Sequence, residues 1–187
     1  MADEPIFHTE TESPLGPILL AGSYRGLHHL VFQQGNHPLA PPADWRPARE
    51  PFIEVIRQLE IYFTGSLRAF EIPLRPAGTD FQKTVWAALR QIPYGQTTSY
   101  GELAQAIGKP TAARAVGAAT GKNPLPILVP CHRVVGKDGQ LTGFSAGLRY
   151  KEALLRLEAR SSGLSNGADI DPQIASSAPD DNPSSTT

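Results

Sequence analysis

One cysteine in 187 residues leaves no partner for a disulfide and too few thiolates for a multi-cysteine zinc site. A lone reactive thiol survives in a reducing compartment, which suits Cys131. Long apolar runs are missing too. Nothing approaches the ~18 consecutive apolar residues of a membrane span, and the opening Met1-Ala2-Asp3-Glu4-Pro5 lacks an apolar signal core. The expectation is a soluble cytoplasmic protein with no membrane partner. Residues 161–187 contain no lysine or arginine, four acidic residues and few bulky apolar groups. Such a composition cannot offset ordering entropy, so a disordered acidic tail is expected there.

The charge that is present is sorted along the chain. The overall net charge of −1 divides into −3 over residues 1–79, +6 over 80–160 and −4 over 161–187. A basic segment holding the only thiol points to a polyanionic partner, while the plainer reading is a solvated face.

Residues 6–33 read as strands of a meander: short apolar runs, such as Ile18-Leu19-Leu20-Ala21, between turns rich in Gly and Pro. Residues 34–49 read as a loop. From Glu50 to Phe63 the pattern turns helical, with Phe52, Ile56, Leu59 and Phe63 on one face and Gly65 at the C-terminal cap. Phe70–Leu74 suggests an edge strand, and residues 75–78 a linker. His28-His29 invites a metal reading that no cysteine and few nearby carboxylates support. The division expected is an α/β domain over 1–78, a mainly helical domain over 79–160 and the tail over 161–187.

In the second part Thr79 or Asp80 caps a helix running to about Gln91. Ser99 with Glu102 forms a capping box opening a helix at Tyr100, which Gly108-Lys109-Pro110 stops. A third helix covers about Ala112 to Thr120, and the pair matches a helix-turn-helix. Its residues are nearly all small, with Arg114 the only long one. Two readings stand: close packing in a core, or close approach to a nucleic acid backbone, since the minor groove is only ~6 Å wide. Val134-Val135 and Leu141-Thr142 flank Gly136-Lys137-Asp138-Gly139 as a hairpin. A final helix from Leu148 to Arg160 places Leu154, Leu155 and Leu157 inward. Glu158 sits near its C-terminal end, where the helix dipole disfavours a carboxylate. It is either solvated or held by a partner such as His132.

The apolar run Pro124–Pro130 delivers Cys131-His132-Arg133. A free thiol ionises near pKa ~8.5, and basic neighbours are of the kind that favour the thiolate. The alternative is a cysteine that is merely a small buried hydrophobe.

Asn123-Pro124 followed by Ile127-Leu128-Val129-Pro130-Cys131-His132-Arg133-Val134-Val135 strongly resembles the active-site signature of O6-alkylguanine-DNA alkyltransferases. The resemblance runs from Phe81 to Glu158 and takes in Thr98-Ser99-Tyr100 and Ala112–Gly117. It implies a ribonuclease-H-like α/β domain followed by a helical, winged-helix-like domain whose helix-turn-helix enters the minor groove of double-stranded DNA. It implies flipping of the damaged nucleotide into a pocket and one irreversible transfer of the alkyl group from O6-alkylguanine, and from O4-alkylthymine, to Cys131. A monomer without a cofactor is implied.

By the same resemblance His132 takes the thiol proton through a water, Glu158 orients that imidazole, Tyr100 donates to guanine N3 and Asn123 is a hinge. Arg114 fills the space of the extruded base, with Thr111, Ala113, Gly117, Lys122 and Arg133 also at the DNA. Pro126, Val134, Phe144 and Ser145 line the substrate pocket. Phe144 stands where several members have tyrosine, and Ala146 where a glycine pair is common. Some relatives hold zinc through N-terminal cysteines; none are present here, so no metal is expected. The competing expectations are a non-catalytic sensor of alkylated DNA and a Cys-His hydrolase unrelated to DNA.

Overall fold

The computed structural model describes residues 4–163. Strands β1 (Phe7–Thr11), β2 (Ile18–Ser23) and β3 (Gly26–Phe32) form the antiparallel meander that the turn residues suggest. Ser13 fixes the first turn, its hydroxyl donating to the Gly16 carbonyl at 2.6 Å. β2 is central, and Ile18, Leu19, Leu20 and Ala21 are wholly buried, which is why it is apolar on both faces. One piece of the expected loop is ordered further: β4 (Arg46–Pro47) pairs parallel with β1, giving the order β3-β2-β1-β4.

Helix α1 (Ile53–Phe63) enters through a 3₁₀ turn at Glu50–Phe52. Phe52, Val55, Ile56, Leu59 and Tyr62 face the core. Phe63, expected on that face, is only half-buried. Tyr62 is the buried neighbour because its hydroxyl finds a buried acceptor. Gly65, at φ +80°, ends the helix with its amide on the Tyr62 carbonyl, as a C-terminal glycine should. The strand expected at Phe70–Leu74 reduces to one bridge, Leu74 with Leu27. Pro73 has no N–H to extend a ladder.

Thr79 caps α2 (Asp80–Leu89) in a capping box with Gln82. Ser99 and Glu102 form the second capping box, at the start of α3 (Tyr100–Ala106). Gly108 turns the chain into α4 (Ala113–Gly121). α2, α3 and α4 pack together, and Trp86 Nε1 donates to the Ala119 carbonyl at 2.9 Å. Both readings of the small-residue helix hold, on different faces: Val116 and Ala119 are buried, whereas Arg114, Ala115 and Ala118 are exposed.

The expected hairpin does not form. β6 (Val134–Val135) pairs parallel with β5 (Thr98–Ser99), although Gly136–Gln140 does make a turn. The carbonyls of Val134 and Thr142 are instead taken by the ammonium of Lys151. α5 (Leu148–Ser161) closes the fold. Its buried face is Tyr150, Lys151, Leu154 and Glu158; Leu155 and Leu157 are half-buried. A single buried cluster runs from Ile18 to Leu154, so the sheet and the helices share one core. The tail expectation lies outside the described residues from 164 onward. Among the described residues no helix is long and apolar enough to cross a membrane.

Candidate active site

One amide organises the loop after α4. Asn123 Oδ1 accepts from the Leu125 amide at 3.0 Å, while Nδ2 donates to the Val129 carbonyl at 2.8 Å and to Cys131 Sγ at 3.1 Å. The same side chain therefore closes the loop and touches the sulfur. Inside it Ile127 adopts φ +75°, a strained conformation for a β-branched residue. Those bonds and its burial hold it there. Cys131, His132 and Arg133 form a single 3₁₀ turn, and all three are buried.

α5 supplies the facing side. Lys151, Leu154 and Glu158, at spacings of three and four, share one helix face and are each 0 % exposed. Glu158 Oε1 accepts from His132 Nε2 at 2.8 Å, Tyr62 Oη at 2.8 Å and Arg133 Nη2 at 2.9 Å. Oε2 accepts from Arg133 Nε and the Gly95 amide, both at 2.9 Å. Glu158 is thus held rather than solvated, which offsets its unfavourable place at a helix end. Lys151 Nζ donates to the carbonyls of Val134 at 2.6 Å and Thr142 at 2.5 Å.

Protonation states follow from these contacts. Burial opposes ionisation of Glu158, but hydrogen bonds and charge from His132 and Arg133 hold its carboxyl down to about 2. An ionised acceptor requires a donor, so His132 Nε2 carries hydrogen. Burial lowers the His132 pKa, and the bond to Glu158 only partly restores it. The neutral imidazole then presents Nδ1 as a base, and Nδ1 is buried without a partner among the described residues. Burial pushes the Cys131 thiol up to about 11, against the Asn123 hydrogen bond and the Lys151 charge. The basic neighbours in sequence do not outweigh burial.

Arg133 corrects a second expectation. It was expected at the DNA, yet it is 6 % exposed. Besides its two bonds to Glu158, its Nη1 donates to the Ile92 carbonyl at 2.6 Å. Its charge neutralises Glu158 and is turned away from solvent.

Tyr100 is half-buried at the first turn of α3, its hydroxyl donating to the Thr142 carbonyl at 3.3 Å. A Cβ at Gly117 would lie 3.6 Å from its ring and one at Gly143 3.4 Å from its hydroxyl, so both glycines leave it room. A cleft of about 250 Å³ brings together Phe32, His37, Lys122, Asn123, Pro126 and Ser145. Cys131, Tyr100, Val134 and Phe144 lie outside its lining, and Val134 and Phe144 are buried. Thr111, Arg114 and Lys122 are exposed on or beside α4, with Ala113 and Gly117 half-buried between them. Among the described residues neither Arg114 nor Lys122 forms an ion pair.

Three participants escaped the sequence reading: Lys151, Tyr62 and the Gly95 amide. A lysine and a glutamate bracketing Leu154 on one helix face is the signal that could have found the first. Tyr62 had only its spacing of three from Leu59. Among the described residues no group of three or more His, Cys, Asp or Glu is placed to hold a metal. His29 instead lies beside Trp45, ring centroids 5.7 Å apart.

Residues 6–76 match a family model described as "6-O-methylguanine DNA methyltransferase, ribonuclease-like domain", and residues 80–160 match "6-O-methylguanine DNA methyltransferase, DNA binding domain". A Methanosarcina barkeri protein named methylated-DNA–protein-cysteine methyltransferase is 54 % identical over 153 residues, covering 82 % of this chain and 97 % of the relative. A Mycobacterium tuberculosis protein of the same name is 48 % identical over 154 residues, with 82 % and 92 % covered. The crystal structure of Mycobacterium tuberculosis OGT in complex with DNA superposes with a TM-score of 0.78 at 46 % identity, covering 83 % of this chain and 94 % of that one.

Proposed function

The chain belongs to the 6-O-methylguanine DNA methyltransferase family, and from that premise we propose that it repairs DNA by moving the alkyl group of O6-alkylguanine onto Cys131. The observation that carries the residue assignment is the buried turn in which Asn123 donates to Sγ while the neighbouring imidazole is tied to Glu158 with Nδ1 free to accept.

The thiol proton passes to His132 Nδ1 through a water, and the ionised Glu158 stabilises the positive charge that appears on the imidazolium. Sγ forms a bond to the O6-linked carbon as the C–O bond breaks, and the electron pair leaves with the guanine. Tyr100 donates to N3 and offsets that charge. The product is a thioether, which nothing in the site reverses, so each chain acts once. O4-alkylthymine offers the same alkyl–oxygen bond and is a second substrate.

DNA lies along α4 in its minor groove. The support is a face of small residues with one exposed arginine, followed by the exposed Lys122. Arg114 occupies the space of the extruded nucleotide, whose unstacking costs a few kcal/mol. The protein acts as a monomer. Pro126, Phe144 and Ser145 form the wall that receives the alkyl group, and the Val134 carbonyl accepts from the guanine amine.

Cys131→Ala tests the assignment. Methyl transfer from a radiolabelled O6-methylguanine duplex should vanish while binding to the same duplex persists. Transfer by the variant would move the acceptor elsewhere, and a wild-type protein that binds the lesion and leaves it intact would be a sensor.

A further inference from the structure

The sheet domain reaches into the relay through one hydroxyl. Tyr62 lies on α1, 96 residues from Glu158, and is 0 % exposed. Its ring is fixed edge-on by Phe63 and Tyr94, at centroid distances of 5.5 and 6.0 Å, and by Phe70 at 5.3 Å. Burial and the adjacent carboxylate raise its pKa well above the ordinary phenol value, so it remains a donor. That donation goes to Glu158 Oε1, the same oxygen that faces His132 Nε2.

We infer that Tyr62 is a positioning residue for alkyl transfer, sharing Glu158 Oε1 with His132 and thereby setting how firmly the carboxylate holds the imidazole. The inference rests on the alkyl-transfer reading above. Oε1 receives three donors, whereas a carboxylate oxygen offers about two lone-pair sites. The three therefore compete. Arg133 is also held through Oε2 and the Ile92 carbonyl, so it cannot readily give way. The competition falls between the tyrosine hydroxyl and the imidazole N–H. Each bond Tyr62 makes to Oε1 withdraws acceptor strength from His132 and keeps the ring neutral, which it must be to take the thiol proton.

Tyr62→Phe keeps the ring packing and leaves Oε1 with two donors, so Glu158 is not orphaned. No net charge changes. The other charged or titratable groups around His132 stay in place: Glu158 and Lys151 from α5, and Arg133 and Cys131 from its own turn; Tyr94, from the loop after α2, packs against Tyr62 and Arg133. With its competitor gone, Glu158 binds Nε2–H more tightly and stabilises the imidazolium. His132 then titrates higher, and more of the resting protein has its base already occupied.

The test is a pH titration of the full-length protein by NMR with ¹⁵N-labelled histidine, run beside the single-turnover rate against pH. Tyr62→Phe should raise the His132 titration and move the acid limb of the rate upward together, by about 0.5–1 pH unit. Tyr94→Phe, which removes a buried hydroxyl with no partner among the described residues, should move neither. 3-Fluorotyrosine at position 62, nearly isosteric and a stronger donor, should shift His132 downward; it keeps the test open should the phenylalanine variant fold poorly. An unmoved His132 titration in folded Tyr62→Phe or fluorotyrosine protein overturns the inference, even if the melting temperature falls. The titration needs no DNA, so a wild-type protein that transfers nothing would sink the proposed function while His132 could still be read.

Discussion

Cys131 starts each encounter protonated, because burial holds its thiol at about 11. The site therefore makes its thiolate on demand, by passing the proton to a neutral imidazole, rather than storing one. Lys151 is the one full charge that favours the anion, and it acts from a buried position where charge is weakly screened. Burial pushes its own ammonium down to about 8, so it is still charged at neutral pH. Lys151→Met should shift the pH dependence of Cys131 carboxymethylation by iodoacetamide upward by on the order of one unit. An unchanged profile would reduce Lys151 to a tie between the Val134 and Thr142 carbonyls. Glu158 makes a separate prediction about stability. Its folded pKa lies below its ordinary value of 4.5, so its contribution is complete above that pH and is lost as pH falls towards about 2. Urea midpoints of the wild type should fall through that window. Glu158→Gln should be less stable at neutral pH, with Arg133 left unpaired, and should lack that slope.

Helix ends set where the reacting groups stand. Tyr100 is the first residue of α3, directly after the Ser99 cap, so the capping box sets its place together with its packing against the core and its bond to the Thr142 carbonyl. Ser99→Ala should cost about 1 kcal/mol in thermal unfolding and slow methyl transfer more than it weakens duplex binding; equal effects would mean that Tyr100 is held some other way. The Ser99–Glu102 capping box is legible in the sequence because its partners lie three residues apart, whereas at α2 the sequence leaves Thr79 and Asp80 open as the cap and the structure settles on Thr79 with Gln82. Asn123, Cys131 and His132 were legible too, carried by a contiguous signature. What was not legible depends on distant partners. The resemblance implies Arg133 at the DNA, and only the fold reveals Glu158, 25 residues on, turning it inward. The burial of Lys151 depends on the Val134 and Thr142 carbonyls that accept from it, which lie 17 and 9 residues away in the chain. The hairpin at 134–142 failed for the same reason.

Across the described residues, one core joins the sheet to the helices, and hydrogen bonds tie the sheet side to the site. The Leu30 amide donates to the Pro124 carbonyl at 2.9 Å, next to Asn123. The Asn36 amide donates to the Ala146 carbonyl at 3.1 Å, beside Ser145. Tyr62 meets Glu158. The first part of the chain thus frames the loop bearing the thiol as well as covering it, which its lack of evident chemistry in sequence did not suggest. The most direct test of the whole account is the intact and peptide mass of the purified, reduced protein after incubation with excess O6-methylguanine duplex. The expected result is the gain of one CH₂ per chain, confined to Cys131 and never exceeding one equivalent. An unmodified Cys131, or a gain on any other residue, would contradict it.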